Sequence, residues 1–167
     1  MKRAILVALV FSVCAAVAGA QNIPLADVSG GYSMLQVVRG SGLTAEGGSG
    51  SVALNFNNWL GAVGDFALYH SAVVGPGLAA GTYTFGPRFS YRRWGRITPF
   101  TQVLLGGVRY ADNGFVFGSG GGADIALDHA GRFALRPQVE YFGFRADGAN
   151  YNTVRVSVGL VFHIGRR

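Results

Sequence analysis

From residue 152 to residue 164 the chain reads N-T-V-R-V-S-V-G-L-V-F-H-I, apolar at nearly every second position. Successive side chains of a strand point to opposite faces. Val154, Val156, Val158, Leu160, Phe162 and Ile164 therefore share one face, and Arg155, Ser157, Gly159 and His163 the other. An apolar face backed by an arginine-bearing one suits a wall between hydrocarbon and a polar interior. About 9–11 residues are enough for a tilted strand to cross a bilayer.

The same period of two recurs upstream, and no segment carries a convincing helical period. Strands are predicted at residues 27–37, 49–56, 60–71, 81–92, 98–110, 115–127 and 133–145, with 152–164 as the eighth. In the first, Tyr32 and Met34 oppose Ser29, Gly31 and Ser33. A loop rich in Gly and Ser is expected at 38–48, and in the second strand Val52, Leu54 and Phe56 oppose Ser51, Ala53 and Asn55. Asn57-Asn58 marks a tight turn. An acid facing lipid is intolerable, so Asp65 points inward and Phe66 and Leu68 outward. The next connection, 72–78, contains Gly75-Pro76-Gly77. The fourth strand sets Tyr83, Phe85, Pro87, Phe89 and Tyr91 against Thr82, Thr84, Arg88, Ser90 and Arg92. An arginine on the lipid face costs about 2–4 kcal/mol at mid-depth, which decides that parity.

The fifth strand is ambiguous, because residues 103–108, V-L-L-G-G-V, are apolar on both faces and leave its register open. The sixth contains Gly118, Gly120, Gly121 and Gly122. It turns Asp124 inward if Phe115, Phe117 and Ile125 face out, and its glycines are expected to make room for Arg136 and Glu140. In the seventh, Leu135, Val139 and Tyr141 face out and Arg136, Gln138 and Glu140 in. Turns are expected at 93–96, 128–131 and 147–150. Pro87 and Pro137 fall mid-strand, where neither can donate to a ladder, and a bulge at each is the expected accommodation.

Eight antiparallel strands in a bilayer cannot leave an edge, because each unpaired backbone group in hydrocarbon costs several kcal/mol. The predicted fold class is all-β, a closed eight-stranded antiparallel up-and-down transmembrane β-barrel whose first and last strands pair. An even strand count puts both chain ends on one side, expected to be the periplasm, with the turns at Asn57, Arg93 and Asp128. Trp59 and Trp94 adjoin two of those turns and, with Phe162, are candidate membrane-interface aromatics.

Composition agrees: half of the 167 residues are apolar, 27 are Gly and 13% are charged. Residues 1–20 read as a signal peptide, with Lys2-Arg3, an apolar run from Ala4 to Val13, and small residues ending Ala18-Gly19-Ala20. Residues 21–167 form the barrel domain. Cys14 falls within that leader, so the mature chain has neither disulfides nor a Cys-based metal site. Without Lys2 and Arg3, 12 basic residues, all Arg, stand against 8 acids. Their scatter excludes a nucleic-acid surface and leaves rim attraction to anionic lipid head groups.

Asp65, Arg88, Gln102, Asp124, Arg136, Gln138, Glu140 and Arg155 are predicted to share a lumen wide enough only for side chains. They are read as a structural polar network that plugs the barrel, with a narrow porin-like conduit for small solutes as the alternative. No catalytic, metal or cofactor site is read: His70, His129 and His163 are too scattered for a metal. A soluble lipocalin-like binder would invert every inside and outside assignment.

The mature chain resembles the small eight-stranded outer-membrane barrels that include the OmpA transmembrane domain and OmpX. The resemblance is carried by Asp27-Val28-Ser29-Gly30-Gly31-Tyr32, Tyr83-Thr84-Phe85-Gly86-Pro87-Arg88, Thr98-Pro99-Phe100, Leu135-Arg136-Pro137-Gln138-Val139-Glu140-Tyr141 and Val156-Ser157-Val158-Gly159-Leu160-Val161-Phe162. It implies a Gram-negative outer-membrane location, a monomer among outer-membrane lipids, and delivery by periplasmic chaperones to the barrel-assembly machinery. That machinery would read the last strand, Val156, Val158, Leu160 and Phe162. Here Phe162 is followed by His163-Ile164-Gly165-Arg166-Arg167, where such barrels often end on an aromatic residue. It further implies a structural or surface-interaction role. Some such barrels remodel lipid A with a His-x-Ser pair. The nearest match here, His70-Ser71, lacks the intervening residue, so its side chains point to opposite faces.

Overall fold

The computed structural model describes residues 23–37, 44–70, 79–109, 113–146 and 149–165. The predicted leader, the connection at 72–78, and Arg166-Arg167 lie outside the described residues. Eight strands follow in order: β1 (Ala26–Val37), β2 (Thr44–Asn55), β3 (Leu60–His70), β4 (Ala79–Ser90), β5 (Ile97–Arg109), β6 (Asn113–Ala126), β7 (Phe133–Ala146) and β8 (Ala149–Ile164). Each pairs antiparallel with the next, and β1 pairs with β8 from Ala26 opposite Ile164 to Val37 opposite Thr153, closing the barrel. The 12 residues of β1 run roughly 40 Å and, tilted by about 45°, rise roughly 28 Å, close to the thickness of a hydrocarbon layer.

Side-chain direction follows the predicted parity. Phe66, Leu68 and Phe85 stand 61%, 70% and 65% exposed on the outer wall, while Arg88 and Arg155 are each 1% exposed inside it. This disposition excludes the lipocalin-like inversion, because the large apolar side chains line the outside and the charges the inside. β5, ambiguous in sequence, turns Phe100, Gln102, Leu104 and Val108 inward and Thr101, Val103 and Leu105 outward.

Two expectations are corrected. β2 begins at Thr44, not near residue 49. Its Gly- and Ser-rich first half is paired with β1 throughout and with β3 from Glu46 onward, so sheet closure overrides the weak strand propensity of that stretch. No bulge is present at either proline. Register between β4 and β5 is the same on both sides of Pro87, with Phe85 facing Leu105 and Arg88 facing Gln102, and the ladder lapses at Gly86 and Pro87. Register between β6 and β7 is likewise unchanged across Pro137, from Gly122 facing Gln138 to Ile125 facing Leu135. The other neighbour of each proline stays paired, Ala62 with Pro87 and Val158 with Pro137. A proline lacks one N–H, which points to one neighbour only, so one ladder thins without an extra residue.

Three tight turns share one end of the barrel, hereafter the turn end. Asn57 Oδ1 accepts from the backbone amides of Trp59 at 2.9 Å and Leu60 at 2.7 Å. Trp94 bridges to Ile97 around Gly95, whose φ of 62° favours glycine. Asp128 Oδ1 accepts from the amides of Phe133 and Arg132, which hold its carboxyl below the usual carboxylate range. Aromatic side chains ring the outside here: Trp59 stacks on Phe89, Tyr91 meets Trp94 edge-on, and Phe133 packs on Phe162.

Candidate functional site

The barrel interior is built from inward positions of all eight strands. At its centre Arg155 of β8 faces Glu140 of β7 directly across the ladder. Its Nε donates to Glu140 Oε2 at 2.6 Å, Nη2 donates to the same oxygen, and Nη1 donates to Asp65 Oδ1 of β3 at 2.6 Å. Glu140 Oε1 accepts from Gln102 Nε2 at 2.6 Å, and Gln102 Oε1 accepts from Arg88 Nε at 2.9 Å. One chain of charge-assisted bonds thus joins β3, β8, β7, β5 and β4. The guanidinium of Arg88 lies 4.4 Å from the centre of the Phe100 ring, and its two Nη atoms have no hydrogen-bond partner among the described residues.

A second unit is the fork of Arg136 on Asp124, at 2.5 Å from Nε and 2.7 Å from Nη2, with Nη1 3.4 Å from Ser51 Oγ. Ser51 and Ser29 share a 2.7 Å bond, which ties β7 and β6 to β2 and β1. All eight residues of the predicted network are buried, from Gln102 at 0% to Gln138 at 7% exposed. Gln138 shares with Asp65, Arg136 and the serines a cavity of about 20 Å³.

A third unit was not read from the sequence. At the turn end Asp27 Oδ1 is 2.7 Å from His163 Nδ1, its Oδ2 accepts from Asn55 Nδ2 at 3.0 Å, and Arg92 Nη2 donates to Asn55 Oδ1 at 2.8 Å. His163, which alternation places on the same face as Arg155, is an inward residue with a 13% exposed side chain. The signal was available, since Asp27 and His163 fall on the inward faces of the two strands that must pair.

The lumen also holds an apolar cluster of Ala53, Val63, Leu104, Val116 and Phe142, with Leu35, Val108 and Phe144 packed against it. Arg155 joins this cluster to the charges, its guanidinium 4.8 Å from the Phe142 ring. The β6 glycines make room as expected for Glu140, whose Cγ would lie 2.7 Å from a Cβ on Gly120. The other occupants differ from expectation: Phe142 covers Gly118 and Phe100 faces Gly122, in place of Arg136.

On the outer wall Trp59 and Trp94 stand exposed beside the turns. Val156, Val158, Leu160 and Phe162 form one exposed stripe on β8. His70 is exposed at the far end of β3, and Ser71 lies outside the described residues. Among those residues no group of three His, Cys, Asp or Glu side chains could hold a metal.

Fold and lumen together define a transmembrane eight-stranded β-barrel. Solved structures similar to this chain include Neisserial surface protein A, NspA, at 14% identity and a TM-score of 0.61 over 83% of this chain and 97% of that one. The N-terminal β-barrel domain of Pseudomonas aeruginosa OprF is similar at 10% identity and 0.56 over 85% and 100%. Ail, the attachment invasion locus protein of Yersinia pestis, is similar at 17% identity and 0.51 over 84% and 99%. No protein-family model and no curated protein matches the chain.

Proposed function

We propose that the protein is an integral outer-membrane β-barrel of structural or surface-interaction role, with a sealed lumen and no enzymatic chemistry. Cleavage after Ala20 would release a mature chain beginning at Gln21. The observation that carries the reading is Arg155 bonded to both Glu140 and Asp65 across the lumen. An inward apolar cluster sits beside that crossing, and a cavity of about 20 Å³ is too small for a hydrated ion. The turn end faces the periplasm in this reading, since short turns lie on that side of such barrels. The exposed β8 stripe fits delivery by periplasmic chaperones and insertion by the barrel-assembly machinery, and the lipid belt fits a monomer.

The test is two measurements on the mature protein. In fractionated envelopes it is expected in the outer membrane as a band that migrates faster unboiled than boiled. In planar bilayers it is expected to give no sustained single-channel steps. Regular unitary steps would replace the sealed reading with the narrow conduit, and a soluble periplasmic band would overturn the membrane reading. Placing a charge on the belt tests the same assignment from outside. Phe66→Arg is expected to cost about 2 kcal/mol of unfolding free energy in lipid vesicles, and no loss would mean that this wall does not face hydrocarbon.

A further inference from the structure

The turn-end mouth of the barrel encloses a cavity of about 310 Å³, lined by Arg92, Arg96, Thr98, Asp124, Arg132 and His163 among other residues. Its cations outnumber the anions available to them. Asp124, the single acid among the described lining residues, is already forked by Arg136. His163 turns Nδ1 to Asp27, which also accepts from Asn55. Arg92 donates through Nη2 to Asn55 Oδ1 and stands 3.8 Å from Asp27 Oδ2, while its Nε is buried with no partner among the described residues. Arg96 and Arg132 are exposed, and neither forms an ion pair among the described residues. Asp128, in the same turn as Arg132, gives its Oδ1 to backbone amides.

Three arginines therefore line one concave space, and the Nε of Arg92, buried at its wall, has no partner among the described residues. Guanidinium forks match the oxygen spacing of phosphate and carboxylate, and charge-assisted bonds of this kind are the strong ones. A carboxylate offers two oxygens and one charge. A phosphate monoester offers three oxygens and close to two charges, which suits three cations better. We propose that this vestibule is a binding site for a phosphate group, held by Arg92, Arg96 and Arg132. The group belongs either to a soluble phosphate ester or to a lipid headgroup reaching over the rim beside Trp94.

The test uses the refolded mature barrel in a phosphate-free glucoside detergent. Inorganic phosphate is titrated at constant ionic strength, and the Arg92 Nε–Hε resonance is followed by NMR. A saturable shift is expected that chloride does not reproduce. In R96Q/R132Q, whose substitutions sit on the exposed rim, affinity is expected to fall about tenfold or more while unboiled gel mobility is unchanged. A second arm adds short-chain phosphatidic acid, a lipid phosphate monoester, with a phosphate-free diacylglycerol as its control. A shift with inorganic phosphate assigns the site to soluble phosphate esters, and one with phosphatidic acid alone assigns it to headgroups. No saturable shift in either arm, an equal response to chloride, or undiminished affinity in R96Q/R132Q would overturn the site.

Discussion

Replacing Glu140 with alanine is expected to lower the unfolding free energy of the barrel by about 3–5 kcal/mol, the usual penalty for stranding one partner of a buried ion pair. Both carboxylate oxygens are in use. Oε2 accepts from Nε and Nη2 of Arg155, and Oε1 accepts from Gln102 Nε2. Truncation leaves Arg155 with Asp65 as its single acidic partner and frees Gln102 from its acceptor, so Arg88 loses the group that orients its own partner. Urea unfolding in lipid vesicles, read as the fraction of fast-migrating unboiled band, measures the loss. Glu140→Gln keeps the shape and one acceptor and is expected to lose less. The triple variant D65L/E140M/R155M removes the whole acid–arginine–acid set, Asp65 included because Arg155 is its partner, and is expected to recover much of the E140A loss, because hydrophobic replacement of a complete buried ion set is often neutral. A loss below about 1 kcal/mol for E140A, the range of an exposed pair, would mean that water screens the network and that the lumen is open.

Which of these features the sequence announces follows from how costly each alternative is. A charge on the lipid wall is costly enough at mid-depth to fix the parity of a strand that carries one there, so Arg88, Asp124, Glu140 and Arg155 could be placed inside from alternation alone. β5 has no such charge at mid-depth, since Arg109, its last residue, sits at the rim and is exposed on the outward parity. Its run of Val103, Leu104 and Leu105 reads the same in either register because the lumen holds an apolar cluster, in which Leu104 and Val108 bury themselves with Val116, Phe142 and Phe144. Hydrophobicity separates inside from outside only where the inside is polar. The early start of β2 was hidden for another reason: Gly47, Gly48 and Gly50 are poor strand formers, and β1 and β3 supply from both sides the hydrogen bonds that hold them extended. The contact of Asp27 with His163 joins residues 136 apart and exists only because the barrel closes. Alternation gives the face of each residue, and closure gives its partner.

The seam between β1 and β8 is where that closure is most sensitive, and Gly31→Val is expected to cost about 3 kcal/mol or more and to suppress refolding into the fast-migrating form. Gly31 lies opposite Gly159, facing inward. A Cβ on Gly31 would run into the carbonyl oxygen of Val158 and the Cα of Gly159, and one on Gly159 would lie 2.9 Å from the carbonyl oxygen of Gly30. These are backbone atoms, which cannot rotate out of the way as a side chain end can. Sliding β1 by one residue offers no escape, since it would turn Asp27, Ser29 and Ser33 to lipid. Sliding by two would part Asp27 from His163. The chain must either splay the seam, exposing unpaired backbone to hydrocarbon, or fail to close. Gly30→Val supplies the matched control: the same residue type one position away faces outward, with nothing within 4 Å of its Cβ. It is expected to fold as the parent does, or slightly better through its added strand propensity. The comparison is made by refolding both variants into vesicles and reading the unboiled band. Equal yields and equal urea midpoints would show that the seam tolerates a side chain at Gly31, and that closure depends on the register of the outer apolar stripe instead of the close approach of the two strands.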